Sequence, residues 1–103
     1  MKGTALFPGS FDPFTLGHKF VVDQGLELFD RIVIAIGVNS EKAGLLTPDN
    51  RARLIRDLYR GEPRIEVRIY TELTGQLCRQ LGVKTILRGS VSYTHLTLPT
   101  IRL

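Results

Sequence analysis

The sequence predicts an α/β fold, an open parallel sheet with helices on both faces. Three observations lead there. Apolar β-branched runs alternate with segments of helical spacing from Thr4 to Leu87. The run Arg31–Val38 is apolar on both faces, the mark of a strand buried inside a parallel sheet. Each helical segment is bounded by residues that start or stop helices.

Taken in order, Thr4–Phe7 is a short apolar run closed by Pro8-Gly9, a first strand. Thr15-Leu16-Gly17-His18 opens a first helix that runs to Phe29, with Phe20, Val21, Gln24, Leu26 and Leu28 at mostly helical spacing. Arg31–Val38 is the second strand, followed by a polar loop, Asn39–Leu46, that carries Lys42. Thr47-Pro48-Asp49 starts a second helix with a hydroxyl cap, a proline and an acid in the expected order. Its stripe is read as Leu54, Ile55, Leu58 and Tyr59, and Gly61-Glu62-Pro63 ends it. Ile65–Tyr70 alternates with period two, as an edge strand does. Thr71 or Thr74 is expected to cap a third helix that buries Leu77, Cys78 and Leu81 and closes at Gly82. Val83–Leu87 is a fourth strand.

With 103 residues the chain holds one domain at most. Its 43% hydrophobic and 23% charged residues are those of an ordinary soluble globular protein. No apolar run approaches the ~20 residues of a membrane helix. The single cysteine, Cys78, excludes an internal disulfide and fits a reducing compartment. The formal charge of +4 suits a small anionic ligand and is too weak by itself to argue for nucleic acid. Neither a membrane nor a nucleic acid is expected as a partner.

In a sheet of this kind ligands bind outside the carboxyl ends of the strands, where the strand order reverses. The ends at issue are Pro8-Gly9-Ser10, Asn39–Lys42, Tyr70–Thr74 and Arg88-Gly89. Gly9 lets the backbone approach a ligand as it leaves the first strand. The amino end of the first helix offers N–H groups and a positive dipole end to a phosphate, and Gly17 removes a Cβ there. His18 can donate a hydrogen bond from the same spot. A turn plus a helix cap, with a solvent-facing histidine, accounts for the same residues. Lys42 taken alone is a solvated lysine. Arg88, after a buried strand and before Gly89, is harder to dismiss. Asp12 could ligate a metal, but Asp-Pro is also a turn signal and the turn is preferred. Cys78, Tyr59 and Tyr70 read as packing residues.

The stretch from Gly9 to His18 resembles the signature of the nucleotidyltransferase superfamily with the (H/T)-x-G-H motif. With Pro8-Gly9-Ser10-Phe11-Asp12-Pro13 and Ile86-Leu87-Arg88-Gly89, the chain is similar to the phosphopantetheine adenylyltransferase family from Met1 to about Gly89. Related adenylyl- and cytidylyltransferases usually carry histidine at the position of Thr15. The resemblance implies a Rossmann-like dinucleotide-binding fold, here truncated at the carboxyl terminus. It implies adenylyl transfer from ATP to 4′-phosphopantetheine, with Mg2+ as companion, in a cytoplasmic homo-oligomer, a hexamer in the family. It places Ser10, Phe11, His18 and Gly89 at ATP, and Ser10, Lys42, Thr74 and Arg88 at the second substrate, Thr74 mainly through backbone. His18 would also stabilise the transition state. Another nucleotidyltransferase of the superfamily, and a non-catalytic nucleotide-binding fragment, remain as alternatives.

The family continues after Gly89 with a basic segment, an acidic residue and a serine-rich nucleotide-binding stretch. Ser90–Leu103 matches none of these. Val91–Thr100 reads VSYTHLTLPT, which the codons GTC TCT TAT ACA CAT CTG ACG CTG CCG ACG of a transposase adapter for DNA sequencing libraries also spell. Residues 1–89 are therefore expected to be the amino-terminal portion of the domain, and 90–103 a non-family tail of translated adapter. A genomic reading frame that continues as Tyr-Thr-His-Leu after Ser92 would refute this, and the tail would be a divergent strand instead. His95 has no expected role. A chain so truncated is expected to turn over weakly or not at all.

Overall fold

The computed structural model describes residues 3–38 and 45–89, and the backbone of 100–102. The elements are β1 (Thr4–Gly9), α1 (Leu16–Leu28), β2 (Arg31–Gly37), α2 (Pro48–Leu58), β3 (Ile65–Tyr70), α3 (Thr74–Leu81), β4 (Thr85–Arg88) and β5 (Thr100–Arg102). All pairings are parallel and the sheet order is β3-β2-β1-β4-β5. Thr4 to Gly9 of β1 lie beside Arg31 to Ile36 of β2, and Ala5 and Leu6 beside Thr85 and Ile86 of β4. The chain moves outward from β1 through β2 to β3, then returns to the other side of β1. The order therefore reverses between β1 and β4, and a crevice opens at their carboxyl ends.

Both faces of the sheet are covered. Ala5, Phe7, Ile32, Ile34, Ile36 and Leu87 pack with Val21 and Val22 of α1 and with Ala52 and Ile55 of α2. On the opposite face Leu6, Val33, Ala35 and Ile86 pack with Leu77 and Cys78 of α3 and with Val83. Adjacent residues of one strand thus enter different cores, which is why β2 is apolar along nearly its whole length. Burial raises the Cys78 thiol pKa, as suits a core residue. β3 is an edge strand of half-buried residues, as its alternation predicts.

Four features differ from the sequence reading. The buried side of α2 is Arg51, Ala52 and Ile55, whereas Leu54 and Leu58 are 49% and 48% exposed. Helical spacing admits both stripes, and the one that faces the sheet carries an arginine. Neither Thr71 nor Thr74 caps α3: Leu73 is the N-cap and no side chain bonds there. The hydroxyl of Thr74 instead lies 2.9 Å from that of Tyr70, so Tyr70 does more than pack. β4 starts at Thr85 rather than Val83, which drops into the α3-side core. Finally, the backbone of Thr100–Arg102 runs beside Ile86–Arg88 as a fifth strand, where four were expected. Residues 90–99 of the expected tail lie outside the described residues.

Candidate functional site

The reversal point holds a cleft of about 330 Å³, lined among others by Gly9, Phe11, Thr15, Gly17, His18 and Arg88. A volume of that order is within the range of small-molecule sites. β1 brings Gly9 to it, the first turn of α1 brings Thr15, Gly17 and His18, and β4 ends there with Arg88 and Gly89.

His18 is held by the start of its own helix. Thr15 is the N-cap: its hydroxyl oxygen accepts the His18 N–H at 3.4 Å, and His18 Nδ1 accepts the Thr15 N–H at 2.9 Å. This is a capping box in which a ring nitrogen replaces the usual carboxylate or amide. Because Nδ1 accepts, the proton of the neutral ring sits on Nε2. Phe7, Phe11 and Phe14 surround the ring, with Phe11 edge-on at 5.0 Å between centroids. That partial burial lowers the imidazole pKa below its ordinary value. The ring is thus a neutral donor with a defined tautomer. The capping turn and the cleft-lining histidine, alternatives in the sequence, are one object here.

Arg88 ends β4 half-buried, and its buried Nε has no hydrogen-bond partner among the described residues. No described carboxylate lies within ion-pair distance of it. A buried donor in that state is uncommon and calls for a reason. Gly89 explains how Arg88 comes so near α1. A Cβ at Gly89 would stand 2.0 Å from Val21 Cγ2, so strand and helix approach this closely only without one.

Gly9 lines the cleft, and its missing Cβ also makes room for a neighbouring ring. A Cβ there would stand 2.8 Å from the ring of Phe11, so the space serves a protein side chain. Phe11 itself is buried and adopts φ 51, an unusual value for a residue with a side chain. Its ring belongs to the core, and the residue also lines the cleft. Among the described residues a Cβ at Gly17 would meet only the Thr15 hydroxyl at 3.6 Å, and Gly17 lines the cleft.

Of the expected site residues, Phe11, His18, Arg88 and Gly89 line one cleft. Ser10 is exposed beside it and does not line it. Thr74 lines a separate cleft at the end of β3, of about 280 Å³, with Gly37, Tyr70 and Leu73. Lys42 lies outside the described residues. Asp12 serves the turn: its two oxygens accept the Leu45 and Leu46 N–H groups at 2.7 and 2.8 Å. Arg51 was not anticipated. It is buried beside that turn and donates to the Ser10 and Leu46 carbonyls. Its signal in the sequence is its place one helical turn before Ile55.

The family model described as cytidylyltransferase-like matches residues 6–102. A phosphopantetheine adenylyltransferase of Flavobacterium psychrophilum is 48% identical over 85 residues, 82% of this chain and 56% of the relative. One from Porphyromonas gingivalis is 44% identical over 88 residues, 85% of this chain and 58% of the relative. The chain thus spans just over half the length of the curated relatives it matches. In structure it is similar to the lipopolysaccharide core biosynthesis protein from Thermoplasma volcanium, with TM-score 0.76 and 16% identity, over 97% of this chain and 94% of the other. That likeness concerns the fold alone.

Proposed function

The chain belongs to the cytidylyltransferase-like family, and from that premise we propose that its cleft serves adenylyl transfer. The reaction is ATP plus 4′-phosphopantetheine giving dephospho-coenzyme A and pyrophosphate. The substrate assignment rests on the identity to the adenylyltransferases named above. The observation that carries the chemistry is the pairing, in one cleft, of a neutral His18 with Nε2–H to donate and an Arg88 guanidinium without a described acidic partner.

The reaction needs little else from side chains. The attacking phosphate oxygen is already an anion, so no general base is required. The protein must hold two anions in line against their repulsion and stabilise charge on the transferring group. His18 cannot take up a proton at Nδ1 without breaking its bond to the Thr15 N–H. It is therefore suited to donate to a phosphoryl oxygen of ATP, and less suited to act as a base. Arg88 is suited to the acceptor's phosphate, and the amino end of α1 to those of ATP. Thr74 and its cleft at the end of β3 would receive the pantetheine arm, Ser10 and the Phe11 main chain the nucleotide, and Lys42 the substrate phosphate.

The described residues do not provide a Mg2+ site of their own. They contain no cluster of three or more His, Cys, Asp or Glu side chains arranged for a metal, and Asp12 is engaged by backbone N–H groups. Mg2+ would enter with the phosphates of ATP, and no step is assigned to it. A cytoplasmic setting and a hexameric assembly belong to the same reading.

The test is pyrophosphate release by the purified chain with a panel of nucleotides and acceptors. Release, even slow, that requires both ATP and 4′-phosphopantetheine supports the proposal. Preference for CTP or for another acceptor would overturn it in favour of a different transferase. Nucleotide binding without any release would favour a non-catalytic fragment. Turnover near that of a full-length relative would refute the expectation that these residues work weakly alone.

A further inference from the structure

We propose that Asp12 and Arg51 are positioning residues that fix the Ser10–Phe11 peptide plane, and through Phe11 the seat of His18, for nucleotide binding. This rests on the adenylyl-transfer reading of the cleft.

Three parts of the chain meet at this pair. Arg51, in the first turn of α2, donates Nε to the Leu46 carbonyl at 2.9 Å and Nη1 to the Ser10 carbonyl at 3.2 Å. Its Nη2 lies 3.8 Å from the Asp12 carboxylate, and both side chains are nearly buried. Asp12 in turn accepts the Leu45 and Leu46 N–H groups. The β1–α1 turn, the segment before α2 and α2 itself are thereby joined through directed hydrogen bonds to main chain.

Stability alone does not explain such a pair, since apolar residues of similar volume often stabilise a buried position as well or better. Position does explain it. The guanidinium grips the Ser10 carbonyl, and the peptide is planar, so the Phe11 N–H must point the opposite way from Arg51. Phe11 then takes its unusual φ of 51, a conformation that persists only where its surroundings over-determine it. Its ring fills the space over Gly9 and stands edge-on to His18 at 5.0 Å and to Phe7 at 5.1 Å. Release of the Ser10 carbonyl would let the peptide plane turn, and the Phe11 ring and the His18 imidazole would follow.

The experiment compares the full chain with Arg51→Met, Arg51→Lys and Asp12→Asn, and with Arg31→Met as a control at the far end of the sheet. Each is studied below its melting temperature. ATP affinity is measured by calorimetry, and the Phe11 amide and His18 ring by NMR. We expect Arg51→Met to weaken ATP binding about tenfold or more, a small misplacement being enough for that. It should also shift both resonances. Arg51→Lys should recover part of the affinity. Arg31→Met should leave resonances and affinity unchanged even where it lowers the melting point. Lower melting points for the Arg51 variants, with Phe11, His18 and ATP affinity as in the parent, would overturn the proposal. Should Arg51→Met fail to fold, Asp12→Asn, which keeps the volume and one acceptor oxygen, carries the same measurements. A parent chain that binds no ATP would refute the adenylyl-transfer reading, and the two resonances would still decide the positioning role.

Discussion

At the amino end of the sheet, Arg31 on β2 is paired with Glu66 on β3, Glu66 also takes Arg68, and Arg64 meets Glu62 at 2.9 Å. Among the described residues at the carboxyl end, Arg88 meets no carboxylate and the His18 side chain bonds only to its own helix cap. The two ends carry similar residue types on the same parallel strands. The amino end satisfies these cations from within; at the carboxyl end Arg51 is engaged by Asp12 and two carbonyls, and Arg88 is left to meet something from outside. Charge count did not distinguish them, because the +4 balance is a sum over both. The difference points to the proposed anion site more sharply than composition could.

The comparison can be broken most directly at the carboxyl end. His18→Ala, in a chain extended to the relatives' full length, should lower turnover by about 10²–10³-fold, the usual effect of losing one transition-state donor. Its effect on ATP affinity should be much smaller, and equal losses in kcat and affinity would reduce His18 to a binding residue. Arg88→Met should weaken 4′-phosphopantetheine binding about tenfold or more. It should leave the melting temperature unchanged or raised, because a half-buried cation without a partner among the described residues is removed. A clear loss of stability would mean that Arg88 is paired inside the protein after all.

A third prediction concerns the approach of β4 to α1. Gly89→Ala should cost about 1–3 kcal/mol, since Val21 cannot give way by the required distance without repacking α1. Thermal or denaturant unfolding would measure it.

The fourth follows from the His18 pKa. Its folded-state value lies below the ordinary 6.5 because burial disfavours the imidazolium. The unfolded chain therefore binds a proton more readily than the folded one as pH falls through 6.5. Stability contributed at His18 is fully present above that pH and should decline below it, where protonation of Nδ1 also breaks the cap. In melting curves taken across that range, His18→Asn should flatten the decline, and an unchanged slope would contradict the assignment.

The smallest effect belongs to the amino end. Burial alone would raise the Glu66 pKa, but hydrogen bonds from Arg31 and Arg68 outweigh it and hold the carboxyl below its usual value. Its contribution is present above the ordinary glutamate pKa and lost as pH falls. Glu66→Gln should cost no more than about 1 kcal/mol, as partly exposed pairs do, and leave ATP binding untouched. A change in ATP affinity there would erase the contrast between the two ends.

Most of the architecture was legible from local signals. The doubly apolar β2, the Thr47-Pro48-Asp49 start of α2, the alternation of β3 and the closure of α3 at Gly82 each follow from residues near in sequence. The cleft was legible only in part. Thr15, Gly17 and His18 sit within one helical turn, so their proximity is dictated by the chain. Arg88 joins them from a strand formed seventy residues later in the order of elements, and only the reversal at β1 brings it there. Arg51 escaped notice because a helix with apolar residues at two overlapping spacings does not say which stripe faces the sheet. The sequence by itself determined that helices and strands alternate and that Thr15, Gly17 and His18 share the first turn of α1. Only the tertiary structure decided that the space over Gly9 belongs to Phe11, that His18 is held as the Nε2–H tautomer, and that Arg88 shares its cleft. Those outcomes depend on contacts between distant segments, where backbone proximity and buried hydrogen bonding have no local signature.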